Sequence, residues 1–137
     1  MGFPKTPHLA VDAVIRHGKN IILIDRKFPP LGFALPGGFV DYGESCEDAV
    51  LREVKEETNL NGKITRLIGV YSHPNRDVRG HVVTVAYMLT VSNTDNIKAQ
   101  DSEVKSIFET SIFNINTLEL IADHRRIISE AIGIPSD

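Results

Sequence analysis

The stretch "GGFVDYGESCEDAVLREVKEETNL", residues 37–60, decides the fold of this chain. Its second half carries apolar residues along one face at helical spacing, which predicts a helix over Cys46–Thr58. Ser45 is suited to cap the first turn, whose acidic residues favour the positive end of the helix dipole. Asn59 tolerates the left-handed conformation that a chain needs where it leaves a helix.

The predicted helix carries three glutamates within five residues. On a wheel of about 100° per residue, Glu53 and Glu57 share the arc of Cys46 and Val50, and Glu56 lies at its border. We expect this arc to face the protein, whereas a solvated helix turns its acids outward. Two carboxylates about 5 Å apart repel by about 3 kcal/mol at an effective dielectric near 20. Three such pairs would approach the stability of a whole domain.

Inward carboxylates need compensation, and three kinds are available. The carboxylates can be protonated, paired with arginine, or bound to a divalent cation. Arg52 points about 100° away from Glu53 on the wheel, so we expect it to orient one carboxylate. Grouped oxygen ligands favour a hard ion such as Mg²⁺ or Mn²⁺. The alternative is a helix end that is merely rich in surface glutamate.

The residues before the helix add a second signal. Pro36, Gly37 and Gly38 leave the backbone unshielded by side chains, so that a metal or a phosphate can approach it closely. From Gly38 onward the sequence resembles the Nudix hydrolase box, G-x5-E-x7-R-E-U-x-E-E-x-G-U, in which U is a bulky aliphatic residue. The matching positions are Gly38, Glu44, Arg52, Glu53, Val54, Glu56, Glu57 and Leu60. Asn59 replaces the box glycine, and both residue types accept the left-handed conformation.

The resemblance implies a fold, a reaction and a metal site. The fold is a Nudix-like α/β/α sandwich with a mixed central sheet. The reaction is attack of water on a nucleoside diphosphate that is linked to another moiety. The implied ligands of Mg²⁺, or alternatively of Mn²⁺, are Glu53, Glu56, Glu57 and the Gly37 carbonyl oxygen.

The resemblance also implies catalytic roles around that site. Arg52 would orient the glutamates, and Glu44 would bind metal indirectly or tie the loop to the helix. The general base is a box glutamate, Glu53 or Glu56, or a glutamate on a distant loop. Glu103 in "QDSEVKS" is the loop candidate, and the alternative is that it is an ordinary solvated acid.

Other segments are similar to the small ADP-ribose pyrophosphatase branch of the family. In "HPNRDVRGH", Arg76 and Arg79 are candidates to hold phosphate or a ribose-linked group, because arginine suits bidentate contacts. The equal alternative is a solvated hairpin loop, which Asp77 and Gly80 would shape. Arg26, at the end of a strand, is a further phosphate candidate, and Gly38 would let substrate approach the main chain.

The rest of the chain predicts a sheet and a second helix. The runs "LAVDAVI" and "NIILIDR" indicate an antiparallel hairpin that turns at Gly18. Further strands are predicted at "KITRLIGVY", at "HVVTVAYMLTV", which has the two apolar faces of a central strand, and near residues 106–109. A closing helix is predicted over residues 123–132, with capping as the first reading of Asp123 and His124, and with Gly133 and Pro135 as stop signals. We expect one Nudix domain over residues 1–137.

Composition and charge exclude several classes of protein. Residues 41–57 have seven acidic and two basic side chains, whereas the net charge of the chain is only −3, so the acidity belongs to a site. No basic stripe predicts nucleic-acid binding, and no apolar run predicts a membrane span. The lone Cys46 and the absence of a secretory signal in "MGFPKTPHLA" predict a cytoplasmic protein. The histidines lack the spacing of a zinc site. The resemblance alone implies a homodimer.

The sequence is compatible with three functions. The first is Mg²⁺-dependent hydrolysis of ADP-ribose to AMP and ribose 5-phosphate. The second keeps the chemistry but acts on oxidised nucleoside triphosphates or on a broad set of nucleotide sugars. The third is a non-catalytic nucleotide-sensing module, for which we expect lost box glutamates and a DNA-binding extension. All three glutamates are present here.

Overall fold

The computed structural model describes residues 2–100 and 102–134. A mixed sheet and two helices account for most of these residues, and a short 3₁₀ helix precedes the second α-helix. The elements in chain order are β1 (His8–His17), β2 (Asn20–Arg26), β3 (Phe33–Ala34), β4 (Gly37–Phe39), α1 (Cys46–Thr58), β5 (Lys63–Tyr71), β6 (Val82–Thr90), β7 (Val104–Ser111), the 3₁₀ helix (Ile112–Thr117) and α2 (His124–Ile132).

The sheet is mixed, as predicted. Its main path runs β3-β2-β1-β6-β5, with β4 paired to β1 and β7 paired to β2. Strands β1 and β6 pair in parallel from His8 to Arg16, whereas the other strand pairs are antiparallel. The predicted hairpin forms, with Gly18 at φ 61°, and β6 is the central strand that its two apolar faces indicated.

The helices cover opposite faces of the sheet. Side chains alternate along β1, so that Val11, Ala13 and Ile15 pack in one core with α1, and Val14 packs in another with α2. Both cores are fully buried where the strands cross the helices. The predicted α/β/α layering is therefore confirmed.

Helix α1 has the bounds that its sequence predicted. The Ser45 hydroxyl accepts a hydrogen bond from the Asp48 backbone N–H at 3.1 Å. At the other end, Asn59 lies in the left-handed region at φ 62°, and its N–H donates to the Lys55 carbonyl at 3.0 Å. Both ends of the helix are thus closed by local hydrogen bonds, which fixes the register of the glutamates between them.

Two details of the prediction were wrong. The last strand spans Val104–Ser111 and is twice as long as expected, because it pairs with all of β2. Helix α2 begins at His124, and neither side chain of the Asp123-His124 pair caps it. Pro135 lies outside the described residues. In residues 2–100 and 102–134, no helix combines the length and the apolar character needed to cross a membrane.

Candidate active site

The site lies where β1 changes partners. Residues Ala10–Asp12 of β1 pair with β4, whereas Ile15–His17 pair with β2. The sheet therefore opens between β4 and β2, and a cavity of about 330 Å³ forms there. The polar and glycine residues that line it are Asp12, Arg26, Gly37, Gly38, Asp41, Glu53, Glu56, Glu57, Arg76, Asp77, Arg79, Glu103 and His124. This volume is in the usual range of small-molecule sites.

The glutamates of α1 lie as the helical wheel predicted. Glu57 is buried at 5% exposure, and the side chain of Glu53 is only 13% exposed. Glu56, at the border of the arc, has a half-exposed side chain. The alternative of a helix end with ordinary surface acids is therefore wrong for Glu53 and Glu57.

The paired glycines bring the backbone against these carboxylates. The Gly37 N–H donates to Oε1 of Glu57 at 2.7 Å. A Cβ atom at Gly38 would lie 2.5–2.7 Å from the Glu53 carboxyl atoms, closer than real Cβ contacts allow. One at Gly37 would lie 2.1 Å from the Val11 carbonyl oxygen. A side chain at Gly37 would collide with the backbone of strand β1, whereas one at Gly38 would have to displace the Glu53 carboxylate.

Arg52 is the centre of an ion-pair network, which corrects our expectation that it orients one carboxylate. Its Nε and Nη2 donate to both oxygens of Glu44 at 2.7 and 2.9 Å. Its Nη1 donates to Glu53 at 2.9 Å and to Glu56 at 3.3 Å, and its Nη2 also reaches the Phe39 carbonyl oxygen at 3.1 Å. The wheel gives the direction of the Cα–Cβ bond, but the long arginine side chain bends back along the helix.

Glu44 ties the loop to the helix, which was one of its two predicted roles. Besides its bonds from Arg52, its Oε1 accepts the Asp41 N–H at 3.0 Å. The Arg52 hydrogen bonds, followed by that backbone bond, lower the pKa of Glu44 to about 2. The carboxylate is therefore ionised at neutral pH and holds Arg52 in place for the other glutamates.

The donors in the cavity suit a hard divalent cation. Seven carboxylates and three arginines line it, so the cavity carries a negative charge that a diphosphate could not enter alone. Among residues 2–100 and 102–134, no three acidic, histidine or cysteine side chains already stand in a ligating group. Glu57 is turned to the Gly37 N–H and Glu53 to Arg52. The oxygen donor set fits Mg²⁺ or Mn²⁺.

The loop between β5 and β6 is fixed to the protein at Arg76. The Arg76 guanidinium donates to both oxygens of Asp123 at 2.9 and 2.6 Å and to the Val82 carbonyl at 3.1 Å, and its side chain is only 4% exposed. The solvated-loop alternative is therefore wrong for Arg76. Arg79 is about half exposed and pairs with Asp77, whose Oδ1 also accepts the Arg79 N–H, as expected of a loop-shaping residue.

The two more distant candidates also line the cavity. Arg26 lies at the end of β2 and donates from Nε to the Pro30 carbonyl at 2.9 Å. Glu103 lies on the turn before β7, and its carbonyl accepts the Lys27 N–H at 2.9 Å. The structure thus brings Glu103 to the site that the resemblance suggested, and the roles of both residues in binding or catalysis stay predictions.

A buried polar cluster beside the site was missed from the sequence. The Thr84 hydroxyl donates to Asp12 at 2.7 Å, and Asp12 lies 3.7 Å from Nε2 of His124. The Leu35 N–H donates to Nδ1 of His124 at 3.0 Å. Burial raises the pKa of Asp12 and lowers that of His124. The available signal was the acid within the apolar run "LAVDAVI", where a charged residue needs a partner.

The comparisons with known proteins agree on the type of domain. The NUDIX domain model matches residues 6–131. The ADP-ribose pyrophosphatase of Methanocaldococcus jannaschii is 46% identical over 127 residues, which cover 90% of this chain and 72% of that protein.

Two solved structures have the same fold. The NUDIX domain of NrtR from Shewanella oneidensis, crystallised with ADP-ribose, superposes with a TM-score of 0.83 at 30% identity, covering 93% of this chain and 87% of that one. A bifunctional NMN adenylyltransferase/ADP-ribose pyrophosphatase from Francisella tularensis, solved with AMP and a manganese ion, gives 0.78 at 27% identity, covering 94% of this chain and 42% of that protein.

Proposed function

This chain belongs to the Nudix hydrolase family, and we propose that it hydrolyses ADP-ribose to AMP and ribose 5-phosphate with Mg²⁺. The observation that carries the proposal is the junction of α1 with the glycine pair inside one cavity. There Glu57 accepts the Gly37 N–H, and the Glu53 carboxylate lies against Gly38. The ADP-ribose ligand of the Shewanella domain and the activity named for the Methanocaldococcus relative favour this substrate.

The residues of this chain have separate tasks in the reaction. Glu53, Glu56, Glu57 and the Gly37 carbonyl would hold Mg²⁺, which when bound neutralises the diphosphate and acidifies a water molecule. Arg52 holds Glu53 and Glu56 through Nη1, so the carboxylates keep their place on the helix. The Glu53 carboxylate fills the space that a side chain at Gly38 would need, and the predicted contact of Gly38 with substrate would be made by its main chain.

The attacking water must lose a proton to a carboxylate. Glu53, Glu56 and Glu103 all line the cavity and remain the candidates for this role. The pH dependence of kcat separates them: the Gln variant of the true base loses the acidic limb of the profile, whereas the other variants keep it.

The substrate panel tests the proposal. The protein is incubated with ADP-ribose, NADH or 8-oxo-dGTP, with Mg²⁺ or with EDTA, and the phosphorylated products are assayed. We expect AMP and ribose 5-phosphate from ADP-ribose with Mg²⁺ alone. Faster turnover of 8-oxo-dGTP or NADH would replace the substrate but keep the chemistry. Micromolar binding of ADP-ribose without turnover of any compound would instead indicate the nucleotide-sensing module.

The resemblance also leads us to propose a homodimer in the cytoplasm. Sedimentation equilibrium at micromolar concentration measures the association, and a monomer there would contradict it. Manganese in the Francisella relative favours Mn²⁺ as an alternative ion, which the same substrate panel can compare with Mg²⁺.

A further inference from the structure

The two sides of the cavity have different chemistry. Side chains alternate along β4, so Gly38 faces Glu53 on the α1 side and Phe39 faces the α2 side. Phe39 and Arg79 line the cavity on that second side, and so does Leu35, which packs in the core with α2. The glutamate side suits metal and diphosphate, whereas this side offers planar and apolar surface to another part of the ligand.

Phe39 and Arg79 form a cation–π pair, and we call these two side chains the Phe39–Arg79 wall. The Arg79 guanidinium carbon lies 5.5 Å from the centre of the Phe39 ring. His8 meets the same ring edge-on, with its centroid at 5.8 Å and an interplanar angle of 66°. Phe39 is nevertheless 44% exposed, which is unusual for a phenylalanine that lines a cavity. The wall therefore presents uncovered aromatic surface to whatever enters.

The charge of Arg79 is already matched. Its Nε and Nη2 donate to Asp77 at 3.1 and 2.8 Å, and the Asp77 side chain is only 9% exposed. These bonds occupy the Nε–Nη2 edge of the guanidinium and hold its plane in position beside the Phe39 ring. A guanidinium held in this way is suited to stacking on aromatic rings.

The wall is held rigidly on both sides. The loop that carries Arg79 is anchored by the buried bonds of Arg76 to Asp123. Phe39 is joined to the glutamates through Arg52, which donates to the Phe39 carbonyl at 3.1 Å and to Glu53 at 2.9 Å. A ligand that stacks here would find the wall preformed, which reduces the entropy lost on binding.

We propose that the Phe39–Arg79 wall stacks the nucleobase of the nucleotide whose diphosphate lies at the glutamates. This inference rests on the proposed function for the class of ligand. Every nucleobase has a π-face, and bases stack on aromatic rings and on arginine planes. The base thus lies on the α2 side of the cavity, and the ribose 5-phosphate half of the substrate does not contact the wall.

Calorimetric titration with AMP and with ribose 5-phosphate, both in Mg²⁺, tests the assignment. Phe39→Leu keeps the apolar bulk but removes the ring, and Arg79→Lys keeps the charge but removes the plane. We expect each variant to bind AMP about 10-fold to 100-fold more weakly, with ribose 5-phosphate binding unchanged. Phe39→Tyr retains the ring and should bind AMP like wild type.

Two controls match the test residues outside the cavity. Arg126 lies 5.6 Å from the Tyr71 ring centre and does not line the cavity, so Arg126→Lys removes a similar cation–π contact elsewhere. Phe113→Leu replaces an exposed ring on the 3₁₀ helix. Neither should change AMP binding. If Phe39→Leu fails to fold, AMP binding by Arg79→Lys, whose substitution lies on an exposed loop, still tests the assignment.

Three results would overturn the assignment. The first is unchanged AMP binding in Phe39→Leu and Arg79→Lys. The second is an Arg79→Gln variant that binds AMP and ribose 5-phosphate equally weakly, together with an Arg79→Lys variant that binds both as tightly as wild type. That result would make Arg79 a phosphate ligand. The third is a wild-type protein that binds AMP no more tightly than ribose 5-phosphate. None of these depends on turnover, so a failure of the proposed hydrolysis is seen separately in the substrate panel.

Discussion

Replacement of Gly38 by alanine should lower the activity strongly but the free energy of unfolding only slightly. The new Cβ would lie 2.5 Å from Cδ of Glu53 and 2.6 and 2.7 Å from its two oxygens. No φ restriction applies at Gly38, so the backbone can accept alanine. The obstacle is the end of a flexible side chain, and Glu53 can rotate away. The expected loss of stability is therefore only about 1 kcal/mol, at the low end for an overpacked site.

The rotation of Glu53 is what removes activity. It breaks the 2.9 Å hydrogen bond from Arg52 and moves a proposed metal ligand out of the cavity. Displacement of a ligand or of its immediate support typically costs 10-fold to 100-fold in metal affinity or rate. We expect kcat for ADP-ribose about 10²-fold lower at fixed Mg²⁺, and a Mg²⁺ titration that is shifted to higher concentration.

The neighbouring glycine provides the contrast. At Gly37 the added Cβ would lie 2.1 Å from the Val11 carbonyl oxygen, which is backbone of the paired strand β1 and cannot rotate away. Gly37→Ala should cost about 3 kcal/mol or more. Gly69→Ala is a matched control in β5, because its Cβ would meet nothing closer than 3.6 Å.

Urea unfolding and steady-state kinetics on the three variants measure both quantities. Wild-type kcat and Mg²⁺ dependence in Gly38→Ala would refute the contact between this glycine and a functional Glu53. Equal destabilisation of Gly38→Ala and Gly37→Ala would refute the distinction between a side chain that yields and a backbone that does not.

Further changes test the glutamates and the two arginine networks. Glu53→Gln and Glu57→Gln should each lower kcat by about 10²-fold or more, with an unchanged or higher melting temperature without metal; wild-type rates in both would discard the metal site. The pKa of Glu44 is lowered to about 2 in the folded protein, so its stabilisation is full above its unfolded value near 4.3 and is lost as pH falls toward 2. The difference in melting temperature between wild type and Glu44→Gln should therefore shrink below pH 4.3, and a constant difference down to pH 2 would contradict this. Asp123→Ala leaves the buried Arg76 charge unpaired and should cost about 3 kcal/mol in urea unfolding, whereas a loss below 1 kcal/mol would mean that the ion pair does not anchor the loop.

Local rules were sufficient for the glutamate helix. Its bounds, its Ser45 cap and its left-handed exit at Asn59 follow from residue type, because the interactions that decide them lie within four positions. The burial of Glu53 and Glu57 follows from the fixed rotation per residue of a helix. The alternating faces of the strands are predictable for the same reason, and together they gave the layered fold.

The partners of the polar side chains were decided by the tertiary structure alone. Arg76 meets Asp123 across 47 positions, and Asp12 meets Thr84 across 72. Nothing in the spacing of these residues marks them as neighbours, since they meet only because β1 lies parallel to β6 and α2 returns over the opened end of the sheet. Helical periodicity also misjudged Arg52, because a wheel shows where a side chain starts but not where its guanidinium ends. The sequence by itself therefore determined the acidic helix and its fold, and the packing of distant segments determined which residues surround its substrate cavity.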